Sequence, residues 1–545
     1  MSLLRRPALL LELDLTSPPI EVEPEDLVGR LRSRQRTRLH AVLRALHEAG
    51  EDARVHGLVV KVGGAALSWA AAQELRAGLR KFATTGKPVV AWAETIGEGG
   101  NGSADYLLAS GATEIWLQPS GELGIMGIAV ETTFLRGALD KLGIEPQLDK
   151  RHEYKSAADR IMRTEFSPEH REAIDRILET TWTSAIEAIA AGRKLDVTAI
   201  QAAADRAPLS ATEALDAGLV DKLGYRDEVY AAVRARIGAD AELLFADHWS
   251  PRRKPAVLIR RHRDVVAMVQ AHGEIHLGRS RGSARMGSST VSAALRAARE
   301  DERVRAVLLR VDSPGGSAVA SDTIWREVAL TRDAGKPVVV SMAAVAGSGG
   351  YYIACPADVI VAQPSTITGS IGVLGGKVVL SDLLDRVGLT TGAVERGEHA
   401  RMFSLRRGFS EDERERLANM LDRIYAEFVH KVAEGRRMSA DAVDLIARGR
   451  IWSGVDAASN GLVDTLGGLR DAADIARQRG GLRADAPVRA AVHVPPLARL
   501  RRPASSDDPR AAAAVTSAWG DLSALASALG LPAAGPLMMP SLRLR

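Results

Sequence analysis

DARVHGLVVKV at residues 52–62 returns as DERVRAVLLRV at 301–311, 249 positions further on. GKPVV at 86–90 returns at 335–339 with the same offset, and QPS at 118–120 returns at 363–365 with an offset of 245. LDKLG (139–143) is matched by LDRVG (384–388), and GLVDKLG (218–224) by GLVDTLG (461–467). Matches that hold one order over such a length mark an internal duplication. The apolar runs AVLLRV (306–311), PVVVSMA (337–343) and DVIVAQP (358–364) read as parallel strands buried on both faces. Between the first two lies SDTIWREVALTRDAG (321–335), a helical segment that closes on Gly335. Strand–helix–strand units of this kind predict an α/β fold with mostly parallel sheets covered by helices.

The division that follows is a first repeat over residues 1–230 and a charged connector over 231–262. A second repeat then runs over 263–485, with a Pro/Ala/Arg-rich tail, expected to be flexible, over 486–545. A chain of 545 residues is long enough for each repeat to bury its own core. Its 46% hydrophobic and 26% charged residues are those of a globular protein. The 72 basic and 68 acidic residues are interspersed, which argues against a nucleic-acid partner. A single cysteine, Cys355, excludes an intrachain disulfide and fits a reducing compartment. The opening apolar run is broken by Glu12 and Asp14 and is too short for a signal peptide or a membrane span. The Ala-rich stretch 511–539 reads as an amphipathic or disordered end. A cytoplasmic or peripherally membrane-associated protein is expected.

Three segments of the second half carry the chemistry. They are Asp312-Ser313-Pro314-Gly315-Gly316, Ala346-Gly347-Ser348-Gly349-Gly350-Tyr351-Tyr352, and Thr368-Gly369-Ser370-Ile371-Gly372-Val373. The second lies where a strand turns into a helix. Glycines there permit a tight turn and close approach of a substrate backbone. N–H groups at the start of the helix can hold a developing oxyanion. Ser348 is the candidate nucleophile, with the N–H groups of Gly349 and Gly315 as candidate oxyanion donors. Gly-Ser-Gly-Gly alone is a common turn string; its setting between the other two segments gives it meaning.

SPGGS (313–317), AGSGGYYIA (346–354) and TGSIGV (368–373), together with the duplication, resemble the signal peptide peptidase A (protease IV) family in its long, two-repeat form. The resemblance covers most of residues 1–480. It implies tandem crotonase/Clp-protease-like repeats and a serine endopeptidase that cleaves signal peptides and other short apolar peptides. It further implies a serine–lysine dyad, a homotetramer and no cofactor. The family's lysine lies in a Tyr-Lys-Ser segment of the first repeat, found here as Tyr154-Lys155-Ser156. The internal alignment agrees, because Arg396-Gly397-Glu398-His399-Ala400 stands opposite Arg151-His152-Glu153-Tyr154-Lys155, and the second repeat has no lysine there. Lysine ordinarily titrates near pH 10.4, so Lys155 can act as a base only if burial or neighbouring positive charge lowers that value.

Ser103 aligns with Ser348 but is followed by Ala104 and Asp105 in place of glycines, and a carboxylate there would oppose an oxyanion. Ser103 is therefore read as vestigial. Gly97-Glu-Gly-Gly-Asn-Gly102 fits the dinucleotide pattern G-x-G-x-x-G only as a lone string. His152 and His399 are the alternative bases. No metal-ligand spacing occurs. A crotonase-type acyl-CoA enzyme and a non-catalytic scaffold are the alternative functions.

Overall fold

The apolar runs that recur in the sequence form the centres of two mostly parallel sheets. The computed structural model describes residues 8–22, 36–64, 67–249, 264–280, 285–491, 535–540 and 542. In the first sheet the order is Lys222–Leu223, Glu114–Leu117, Val89–Ala93, Val55–Lys61, Leu9–Asp14 and Glu242–Phe245, all parallel. The run that opens the chain is thus a sheet strand, and Glu12 on it accepts a hydrogen bond from Tyr230. In the second sheet Val304–Ser313 lies between Val265–His272 and Val338–Gly347. Val338–Gly347 also pairs with Val359–Ala362 along its first half and with Ile367–Gly369 along its second. The helix Ala318–Asp333 crosses between two of these strands, capped by Ser317 and followed by Gly335 at φ +77°.

The repeated letters correspond to repeated contacts. Lys87 Nζ donates to the Asp52 carbonyl at 2.8 Å, and Lys336 Nζ donates to the Asp301 carbonyl at 2.7 Å. Tyr106 donates to the Leu219 carbonyl, as Tyr351 does to that of Leu462. Asp221 accepts the Ile115 N–H and Asp464 accepts the Ile360 N–H, both at 2.7 Å. These polar residues satisfy backbone groups that the sheet ends would otherwise bury unpaired.

The repeats are not separate bodies. The first core contains Leu308, Val339, Val361 and Leu469 of the second repeat beside Leu58, Leu75 and Leu79 of the first. Arg310, buried on its strand, meets Glu74 and Glu21 of the first repeat, each at 2.7 Å. A two-stranded antiparallel ribbon joins Glu145–Lys150 to Leu374–Val379, with Lys150 opposite Leu374.

Two boundaries differ from those expected. The helix Arg226–Ile237 and the strand Glu242–Phe245 belong to the first unit, so it runs past residue 230 into the expected connector. Residues 250–263 lie outside the described residues. In the expected tail, Val488–Ala490 pairs with Val265–His272, and Leu537–Met538 pairs with Gly315–Gly316. Most of the Ala-rich stretch, residues 511–534, lies outside the described residues. Among the described residues no helix is long and apolar enough to cross a membrane.

Candidate active site

Ser348 sits between the strand Val338–Gly347 and the short helix Gly349–Ala354, with φ +54° and ψ −117°. A non-glycine residue held at positive φ is strained and persists only where its surroundings hold it. Here its N–H donates to the Gly369 carbonyl at 2.8 Å, and its own carbonyl accepts the Tyr352 N–H at 2.9 Å. The flanking glycines are required by close approach. A Cβ on Gly350 would stand 2.5 Å from the Ser313 carbonyl oxygen, and one on Gly349 would stand 2.7 Å from Ser321 Oγ. As the first residue of the helix, Gly349 has an N–H with no acceptor within it.

Lys155 follows the ribbon strand Glu145–Lys150, which carries it out of its own repeat into the second. Its Nζ lies 2.9 Å from Ser348 Oγ, and it donates to the Ser370 carbonyl at 3.0 Å and to Ser370 Oγ at 3.1 Å. Both Lys155 and Ser348 are 0% exposed. Gly449, at φ +86°, packs so tightly that a Cβ there would stand 2.4 Å from the Lys155 nitrogen, and Gly372 covers the Lys155 side chain. This enclosure pushes the Lys155 amine well below its ordinary value, through desolvation of the charged form.

The structure brings Ser348, Lys155 and Gly349 together, and it alters the reading of Gly315. The Gly315 N–H donates to Ser313 Oγ at 3.2 Å, so this amide is already engaged. What Gly315 contributes is clearance, since a Cβ there would stand 3.0 Å from Ser348 Cβ. Ser370, at φ +50°, was missed as a partner of the lysine; its place in Thr368–Val373 marks a turn without revealing which way the hydroxyl points. Ser103 is buried too, and among the described residues its hydroxyl accepts the Gly127 N–H at 3.2 Å. His152 packs its ring against Tyr425, and His399 lies 3.3 Å from Asp412. Neither histidine bonds to Ser348. Glu398, His399 and Asp412 converge as three possible ligand groups, which their spacing in the chain did not reveal, with Arg416 on Asp412 at 2.9 Å. Cys355 is buried, and burial pushes its thiol up.

A hydroxyl set against an amine that burial discourages from carrying charge is the equipment of a serine hydrolase, and that is the class this fold and site define. The family model described as Peptidase family S49 matches residues 81–240 and 331–483, more than half of the chain, and the chain belongs to that family. It is 32% identical over 447 residues to the chloroplastic serine protease SPPA of Arabidopsis thaliana, covering 80% of this chain and 64% of that one. It is 32% identical over 457 residues to protease 4 of Salmonella typhi, covering 80% of this chain and 71% of that one. A mutant ClpP1 of Listeria monocytogenes aligns with 40% of this chain and 98% of its own, at 16% identity and a TM-score of 0.26, a likeness too slight to build on.

Proposed function

We propose that the chain is a serine endopeptidase in which Ser348 is the nucleophile and Lys155 the general base. The observation that carries this reading is the 2.9 Å approach of Lys155 Nζ to Ser348 Oγ inside a fully buried pair. A neutral amine has two N–H groups and one lone pair. Ser370 offers two acceptors for those N–H groups, so the lone pair is left for the Ser348 hydroxyl proton. Ser348 Oγ attacks the substrate carbonyl carbon while its proton passes to Nζ. The Gly349 N–H holds the oxyanion. The ammonium then returns the proton to the leaving amine as the C–N bond breaks, and water hydrolyses the acyl-enzyme by the same route. The Gly315 N–H joins the oxyanion site only if it leaves Ser313 Oγ.

Family resemblance supports signal peptides and other short apolar peptides as substrates, and a homotetramer as the assembly. Peripheral attachment to a membrane, where such peptides are released, is compatible with the described helices. A fluorophosphonate probe tests the centre of the proposal. Wild type and Ser103→Ala should be labelled and cleave an apolar model peptide, whereas Ser348→Ala should do neither. Labelling that persists in Ser348→Ala and is lost in Ser103→Ala would reverse the assignment.

A further inference from the structure

The segment Gly535–Pro540 lies across the candidate active site as an added strand. Its Leu537–Met538 pairs antiparallel with Gly315–Gly316, Met538 opposite Gly315 and Leu537 opposite Gly316. It is fastened on both sides of that pair. The Met539 N–H donates to the Pro314 carbonyl at 2.9 Å, and the Pro536 carbonyl accepts the Leu374 N–H at 3.0 Å. Leu537 is 0% exposed, within the core of the second repeat, and Met539 is 4% exposed among Ala173, Ile177, Ile367 and Ile451. A Cβ on Gly347 would stand 2.2 Å from Met539 Sδ, so the floor beneath this side chain has room only because residue 347 is glycine.

One point ties the strand to the chemistry. The position that a Gly315 Cβ would take lies 2.0 Å from the Leu537 carbonyl oxygen, 2.7 Å from the Gly349 nitrogen and 3.0 Å from Ser348 Cβ. A peptide carbonyl, an oxyanion donor and the nucleophile's side chain therefore converge there. An extended peptide that adds to a sheet edge, with alternate apolar side chains in pockets, is the mode in which such grooves take peptides.

We propose that Gly535–Pro540 is a pseudosubstrate: a segment of the chain that fills the peptide groove in the register of a substrate, with Leu537 contributing the carbonyl at Ser348. The proposal rests on Ser348 being the reactive centre. It has two consequences. Substrates must displace this strand before they bind, and a substrate in the same register carries a large aliphatic residue at the cleaved carbonyl and another apolar residue two positions on.

The test compares the full chain with one ending at residue 534, both active and with Ser348→Ala. Removing the strand should lower KM for an apolar peptide about tenfold, because the groove is no longer closed for most of the time. Leu537→Asp in the full chain should have the same effect, which guards against misfolding of the shortened form. Fluorescein-labelled GPLMMP, the sequence of residues 535–540, should bind the shortened Ser348→Ala chain, fail to bind the full-length Ser348→Ala chain, and be ignored when scrambled. Equal KM values in the full, shortened and Leu537→Asp chains, with no binding of GPLMMP to the shortened chain, would overturn the proposal. The binding arm needs no catalysis, so an inactive wild type would refute the peptidase reading and leave this test standing.

Discussion

At Lys155 a charged side chain is enclosed, and desolvation shifts its protonation towards the neutral amine. A base must be unprotonated to act, so kcat/KM should rise with pH through the amine's depressed pKa. The acidic limb is expected below the ordinary lysine value of about 10.4, and it should report this amine rather than an imidazole. It should stay in place in His152→Ala and His399→Ala, and Lys155→Arg should be inactive because guanidinium does not deprotonate. A limb near 6.5 that disappears with either histidine would reject the lysine. The same burial has a price in stability. Between the folded and the unfolded pKa of this amine, the unfolded chain binds a proton that the folded chain does not, so stability rises with pH across that window. Lys155→Met removes the penalty. Thermal melts should show this inactive variant to be more stable than wild type at pH 7, with the advantage shrinking as pH approaches about 10.4.

Among the elements, the ribbon between Glu145–Lys150 and Leu374–Val379 and the turn at Gly449 decide where the lysine lies. Gly449→Ala would force a β-carbon into the Lys155 backbone at a positive φ, at a cost of about 2–3 kcal/mol by denaturant unfolding together with most of the activity. Gly392→Ala, where a Cβ meets nothing within 4 Å, is the control and should leave both unchanged. At this scale sequence reading had a clear limit. Runs such as AVLLRV and the Gly335 helix stop were legible because they depend on local pattern, and the missing lysine at Ala400 marked which repeat places an amine beside Ser348. The ribbon was not legible, since EPQLDK and LGGKVV have no shared signal and pair only because the two repeats dock. The bond of the Gly315 amide to Ser313 and that of the Ser370 hydroxyl to Lys155 were not legible for the same reason: a motif specifies a turn, and the third dimension decides which group points where.

Across the whole molecule, the two repeats share a core and an Arg310–Glu74–Glu21 cluster, so neither is a finished domain. Expressed separately, residues 1–249 and 264–545 should each be inactive, since one lacks Ser348 and the other lacks Lys155. Co-expression should restore peptide cleavage if the shared core reassembles, and co-purification of the two pieces checks that step independently. An active 264–545 piece would show that another base replaces the lysine.

The placing of Lys155 and Ser348 in different repeats also sets an order in time. Lys155 and Ser348 are 193 residues apart, and synthesis at about 5–20 residues per second places roughly 10–40 s between their appearances on the ribosome. On the proposed roles, the nascent chain throughout that interval holds a base with no nucleophile and has no peptidase activity. Gly535–Pro540 is translated later still, after the groove it fills has been made. On the proposed roles, activity becomes possible once the second repeat has been made, and the strand that fills the groove arrives last.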